Sequence, residues 1–72
     1  MTQFTHQQYD DIEHSVAAGR RIAVWRRGTE YIVVPMALRV RGGRELIEAR
    51  NPTTGDPMTL YLDELDRIEV VK

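Results

Sequence analysis

The residues that could support catalysis or bind a metal ion are few, and their spacing is unfavourable for both. His6 and His14 are eight positions apart, whereas two histidines on one helix bind zinc when they are about four apart. Ser15 directly follows His14, and adjacent residues of a helix point in different directions, so they do not form a nucleophile–base pair. The chain contains no cysteine for a metal site or a disulfide. We therefore expect a protein that is not an enzyme and that needs no metal and no cofactor.

Two further motifs favour structural roles. Asp63, Glu64 and Asp66 form a carboxylate cluster, but acidic residues are common in turns between strands. The pair Gly42-Gly43 is followed neither by the Lys-Ser/Thr pair nor by the helix of a phosphate-binding loop. We interpret the first motif as a turn and the second as the tip of a β-hairpin.

Binding is better supported than catalysis, because the middle of the chain is basic. Residues 20–50 contain eight arginines and three glutamates, whereas the net charge of the whole chain is −1. Arginine suits phosphate contacts, and the aromatic side chains of Trp25, Tyr31 and Tyr61 could stack on the bases of a single-stranded nucleic acid. The candidate nucleic-acid or anion contacts are Arg26, Arg27, Arg39, Arg41 and Arg44. The alternative is a solvated strand face with scattered ion pairs, in which Trp25 and Tyr31 belong to the core.

A second candidate surface is acidic and lies near the start of the chain. Apolar residues at helical spacing predict a helix over residues 6–18 with one apolar stripe. Thr5 is a suitable N-cap, and Gly19 is placed to end the helix in the left-handed conformation. Asp10, Asp11 and Glu13 then lie on the helix as candidate contacts for a basic protein. The alternative is an ordinary solvated helix face.

The remaining elements are predicted to be β-strands. Apolar runs separated by turn formers predict six strands, at about 20–27, 30–34, 36–41, 44–50, 58–62 and 67–71. Gly42-Gly43 favours a two-residue turn with positive φ angles, and Pro35 marks a bend, bulge or strand edge. The predicted fold is mostly β, of the α+β class. An N-terminal helix caps a strongly bent antiparallel sheet of five or six strands, which closes into a small barrel.

Length and hydropathy restrict the compartment. The chain has 72 residues, which is the size of one small domain. No apolar run approaches the ~20 residues of a membrane span, and the first residues lack the pattern of a signal peptide. We expect a single cytoplasmic domain over residues 1–72 without a membrane partner, and the sequence leaves its oligomeric state open.

Residues 30–71 resemble the WYL domains of bacterial transcription regulators. The similarity lies in Val34-Pro35 with Leu38, in the segment from Leu46 to Gly55, and in the closing Leu65-Asp66-Arg67-Ile68. Arg44-Glu45-Leu46 stands where that family has Trp-Tyr-Leu. The resemblance implies an Sm-like barrel and a domain that senses a small molecule or nucleotide.

The whole chain also resembles the Rho-binding antiterminator family. Tyr9-Asp10-Asp11-Ile12-Glu13 is similar to the Tyr-Asp-x-Leu-Glu motif that opens the acidic helix of that family. The helix-first order, Glu45-Leu46-Ile47-Glu48 and a final Leu-Asp-x-Ile also match. Members have an Sm-like fold and block the Rho transcription terminator by protein contact, without catalysis. This resemblance implies that Asp10, Asp11 and Glu13 contact the partner.

The sequence therefore predicts a small, non-enzymatic regulatory or binding module linked to transcription. Its partner would be a basic, nucleic-acid-handling protein of the Rho kind or single-stranded nucleic acid. Two alternatives stay open at this point. One is a WYL-type sensor of small molecules, and the other is an oligomerisation module, since Sm-like barrels pair their edge strands.

Overall fold

The computed structural model describes residues 6–71 and contains one helix and five strands. The elements are α1 (His6–Ala18), β1 (Ile22–Arg26), β2 (Thr29–Arg41), β3 (Arg44–Arg50), β4 (Pro57–Tyr61), a 3₁₀ turn (Leu62–Glu64) and β5 (Arg67–Val70). All strand pairs are antiparallel, in the order β4-β3-β2-β1-β5. The predicted α+β class, with an N-terminal helix and an antiparallel sheet, is confirmed. The predicted N-cap Thr5 lies outside the described residues.

The long strand β2 replaces two strands of the sequence prediction. Residues 29–33 of β2 pair with β1, and the remainder pairs with β3. The register shifts between Pro35 and Ala37, which leaves Met36 as the extra residue of a bulge. A bulge accommodates the missing N–H of a proline and bends the strand without ending it. The prediction of separate strands over 30–34 and 36–41 was therefore wrong, whereas the predicted irregularity at Pro35 is confirmed.

The sheet is open, so the predicted closure into a barrel does not occur in the part of the chain that the structure describes. β4 and β5 are the two edges, and they pair only with β3 and β1 respectively. The edge strands are short, with five and four residues, and offer few ladder hydrogen bonds for closure. Instead, α1 contacts β2 and β5 and places Ile12, which is fully buried, in the core.

The core lies between α1 and one face of the sheet. Its buried members are Ile12, Ile22, Val24, Val33, Ile47, Ala49, Leu60, Leu62, Leu65 and Ile68. Alternate residues of a strand point to opposite faces, so Leu46, next to Ile47, faces away from α1. Among the described residues, no helix is both long and apolar enough to cross a membrane.

The helix and the β2–β3 hairpin turn where glycine permits positive φ. Gly19 has φ +66°, and Gly19 and Arg20 donate their N–H groups to the carbonyls of Val16 and Ser15 at 3.3 and 2.9 Å. This is the Schellman motif, as Gly19 predicted. Gly42 and Gly43 have φ +60° and +77°, so the predicted two-residue turn is confirmed.

Candidate functional site

The three carboxylates predicted on α1 do not share one face. Asp10 and Glu13 are exposed, while Asp11 is half-buried and accepts a hydrogen bond of 2.9 Å from Gln7 Nε2. Asp11 also lines a groove beside β5 with Ile68. Residues three apart on a helix are neighbours, so Asp10 and Glu13 form one acidic surface. We call these two residues the helix carboxylates.

The orientation of α1 is fixed at its other flank by Tyr9. The Tyr9 hydroxyl donates a hydrogen bond of 3.0 Å to Glu45 Oε1 on β3. Burial raises the pKa of the Tyr9 phenol, and the hydrogen bond and the negative charge of Glu45 raise it further. This contact, together with buried Ile12, turns the helix carboxylates away from the sheet.

Two of the predicted arginines are paired across the β2–β3 hairpin. Arg39 Nε lies 3.0 Å from Glu48 Oε1, and Arg41 Nη2 lies 3.6 Å from the same oxygen. One carboxylate on β3 thus compensates two arginines on β2. We call the five candidate contacts Arg26, Arg27, Arg39, Arg41 and Arg44 the predicted basic strip. At Arg39 and Arg41 this strip matches the alternative of a strand face with local ion pairs.

Arg44 is the most strongly partnered of the predicted arginines. Its Nε and Nη2 donate to the two carboxylate oxygens of Asp63 at 2.9 and 2.8 Å, and Nη2 lies 3.4 Å from Glu64 Oε2. Its guanidinium also lies 3.9 Å from the centre of the Tyr61 ring. The hydrogen bonds from Arg44 hold the pKa of the Asp63 carboxyl below its usual value, and the same bonds raise the pKa of Arg44. Arg44 therefore ties β3 to the 3₁₀ turn.

The arginines at the β1–β2 turn have no carboxylate partner among residues 6–71. Arg26 covers the ring of Tyr31, with its guanidinium carbon 5.3 Å from the ring centre, and Tyr31 in turn packs against the core. Arg27 occupies the first position of a two-residue turn with φ +52°, followed by Gly28 at +78°. Left-handed backbone is unfavourable for arginine. A shallow groove beside this turn also contains Glu64.

The ring of Trp25, like those of Tyr31 and Tyr61, contacts a guanidinium group. Arg67 lies 4.9 Å from the ring centre of Trp25 and also forms an ion pair with Glu69. Trp25 is half-buried and, unlike Tyr31, is not among the residues that pack against the core. Each of the three aromatic rings that could stack on a nucleic-acid base therefore already contacts a guanidinium group.

The remaining polar motifs have structural partners. Asp66 Oδ2 accepts a hydrogen bond of 3.3 Å from the Gly28 N–H, and the buried Ser15 hydroxyl donates to the Asp11 carbonyl at 2.8 Å. His6 and His14 are exposed. Within residues 6–71, no three His, Asp or Glu side chains are grouped as a metal site would require.

The sequence analysis counted Arg21 and Arg50 among the eight arginines of residues 20–50 but did not choose them as contacts. Both line one groove together with Val34. The two arginines are 29 positions apart, and no motif links them. Their proximity follows from the strand register, which pairs Val34 with Arg50 and Ile22 with Val33. Register across a bulge cannot be counted from the sequence without knowing where the bulge lies.

The chain matches no protein-family model, and no curated protein matches it at a significant level.

Proposed function

We propose that this protein is a non-enzymatic regulatory module that binds a basic, nucleic-acid-handling protein through the exposed face of α1. The observation that carries the proposal is the position of Asp10 and Glu13. They are exposed, share one helix face, and have no ion pair within the described residues. An uncompensated acidic surface favours association with a basic partner, because charge complementarity accelerates encounter and fixes orientation.

The contrast with the other carboxylates supports this surface. Glu48, Asp63 and Glu64 are each engaged by an arginine, and Glu45 accepts the hydrogen bond from Tyr9. These carboxylates serve the fold. Glu30 and Asp56 also have no ion pair within residues 6–71, but Glu30 lies on β2 and Asp56 in the loop before β4. Asp10 and Glu13, in contrast, lie side by side on α1 and together form one acidic surface for a partner.

A nucleic-acid function through the predicted basic strip has less support. Of the five predicted contacts, Arg39, Arg41 and Arg44 are within ion-pair distance of carboxylates. Arg26 and Arg27 have no carboxylate partner within residues 6–71, but Arg26 covers the Tyr31 ring. A phosphate backbone would have to compete with these carboxylates, and stacked bases would have to displace the guanidinium groups that cover the aromatic rings. We therefore favour protein contact over nucleic-acid binding.

The nature of the partner is proposed from the resemblance. The segment Tyr9 to Glu13 that resembles the Rho-binding antiterminators is also the segment that presents Asp10 and Glu13. A helix followed by a five-stranded antiparallel sheet is compatible with an Sm-like fold in an open form. We propose the Rho transcription terminator, or a close relative of it, as the protein bound.

Charge reversal on the helix tests this proposal. The wild-type chain is expected to bind purified bacterial Rho in biolayer interferometry, and Asp10→Lys combined with Glu13→Lys is expected to weaken binding by about tenfold or more. The matched control is Glu30→Lys with Asp56→Lys. It makes the same change of charge at two exposed carboxylates that have no ion pair within residues 6–71.

Two outcomes would contradict the proposal. Equal binding by the helix variant and the wild type would remove α1 as the contact surface. Equal weakening by the helix variant and the control variant would show a general effect of net charge. Circular dichroism on both variants establishes that they fold.

A further inference from the structure

We propose that the groove between Arg21 and Arg50 binds the phosphate group of a phosphorylated small molecule. The groove is lined by Gly19, Arg21, Val34, Arg50 and residues 51–55. It has a volume of about 560 Å³. It lies at the end of the sheet opposite the Gly42-Gly43 turn. It is separate from the helix carboxylates and from Arg39, Arg41 and Arg44, which we call the hairpin arginines.

The strand register brings the two arginines together. Val34 on β2 pairs with Arg50 on β3, and Arg21 directly precedes β1, whose first residue Ile22 pairs with Val33 next to Val34. Arg21, Val34 and Arg50 therefore line the same groove, with Val34 between the two arginines. Neighbouring strands are about 4.8 Å apart, so the backbones of the two arginines are roughly 10 Å apart. This distance allows both guanidinium groups to reach one anion above Val34.

The charge in this groove is uncompensated. No aspartate or glutamate is among its lining residues, and neither arginine has an ion pair within the described residues. Arg50 Nη2 donates to the sulfur of Met36 at 3.2 Å, a weak acceptor that a phosphate oxygen can replace. Two cations that line one groove repel each other, so an anion between them would relieve an unfavourable interaction.

The opposite wall of the groove is a loop held by its own hydrogen bonds. Asn51 Oδ1 accepts from the N–H groups of Thr53 and Thr54 at 2.8 and 3.1 Å. The Gly55 N–H donates to the Asn51 carbonyl at 2.8 Å, and the Asn51 N–H to the Asp56 carbonyl at 2.9 Å. The loop therefore brings Thr53, a lining residue, to the groove without first having to become ordered.

The donor set favours a phosphate group over other anions. Arginine offers a planar fork that matches two oxygens of a phosphate, and a hydroxyl adds a further donor. Val34 and Pro52 give the groove a small apolar wall for the group that carries the phosphate. A polynucleotide is less suitable, because the hairpin arginines that would continue its path are paired with carboxylates.

The test is a titration followed by ¹⁵N–¹H NMR at constant ionic strength, with inorganic pyrophosphate and with adenosine 5′-monophosphate as probes. We expect shifts at the amides of residues 51–55 and at Arg21 and Arg50. Arg21→Gln and Arg50→Gln should each weaken binding about tenfold. Arg41→Gln is the matched control, since it removes an exposed arginine elsewhere on the sheet, and should leave the affinity unchanged.

The two probes distinguish the source of the phosphate. Tighter binding of the monophosphate supports a nucleotide, and tighter binding of pyrophosphate supports recognition of the phosphate group itself. The proposal is overturned if neither probe shifts these residues at millimolar concentration, or if Arg41→Gln weakens binding as much as Arg21→Gln. Tighter binding of a short oligothymidylate than of either probe also overturns it, because the site would then recognise a polynucleotide.

Discussion

The arginines at the two ends of the sheet differ in what surrounds them. Near the Gly42-Gly43 turn, Arg39 and Arg41 share Glu48, and Arg44 is held by Asp63 and Glu64. At the other end, Arg21 and Arg50 line a groove without any carboxylate. The excess of arginine over glutamate in residues 20–50 does not separate these groups. Whether an arginine can bind an external anion therefore depends on its own ion pairs and cannot be inferred from the net charge of the segment.

The two ends also differ in what lies beneath the arginines. Leu46 is placed in register between Arg39 on β2 and Tyr61 on β4 and is 0% exposed, although it faces away from α1. Val34, between Arg21 and Arg50, is only half-buried. Arginine stems shield apolar surface from water. The paired arginines thus shield Leu46 from water, whereas Arg21 and Arg50 leave Val34 partly exposed to solvent.

The largest predicted effect concerns these two apolar residues. Leu46→Ala should lower the free energy of unfolding by about 2–4 kcal/mol, because it removes fully buried methyl groups and leaves a cavity. Val34→Ala should cost about 1 kcal/mol. Urea unfolding followed by the fluorescence of Trp25 measures both. Equal losses would show that the two ends of the sheet are covered alike, and would end the comparison.

The next largest effect is a gain in stability at Arg27. This exposed arginine has φ +52° in the β1–β2 turn, a conformation that asparagine tolerates much better. Arg27→Asn should therefore raise the free energy of unfolding by about 0.5–1 kcal/mol. A matched substitution, Arg41→Asn, lies in regular strand and should not stabilise. A loss of stability in Arg27→Asn would mean that the Arg27 side chain makes a contact that supports the fold.

Local signals explain which parts of the fold the sequence predicts. Gly19 and Gly42-Gly43 act within a few residues, so the end of α1 and the tip of the β2–β3 hairpin follow from residue type. The interruption at Pro35 is also local, but its outcome is not. Whether a strand ends there or continues through a bulge depends on the strands beside it, and the continuous pairing of β2 with β3 decides for the bulge.

The candidate surfaces depend more strongly on tertiary structure. Asp10 and Glu13 could be placed on one helix face by counting, while the position of Asp11 beside β5 required the packing of α1. The contact of Arg44 with Asp63 joins residues 19 positions apart, and the Arg21 and Arg50 groove joins residues still further apart. Such contacts depend on the strand order, which composition does not specify.

The smallest predicted effect is a pH dependence of the stability that the Arg44–Asp63 ion pair contributes by tying β3 to the 3₁₀ turn. The hydrogen bonds from Arg44 lower the pKa of the Asp63 carboxyl in the folded chain. This carboxyl therefore binds a proton less readily in the folded state than in the unfolded state. The contribution of the pair is therefore complete above the unfolded pKa of about 4 and is lost as the pH falls through the lower folded value.

The Asp63→Asn variant, which lacks the charge, should be less stable than the wild type at pH 6, and this difference should shrink towards pH 2. The effect is small because both side chains are exposed to solvent and screened. Urea midpoints measured across this range test it, with Asp56→Asn as the control, and a difference that stays constant with pH would show that the ionised pair does not stabilise the fold.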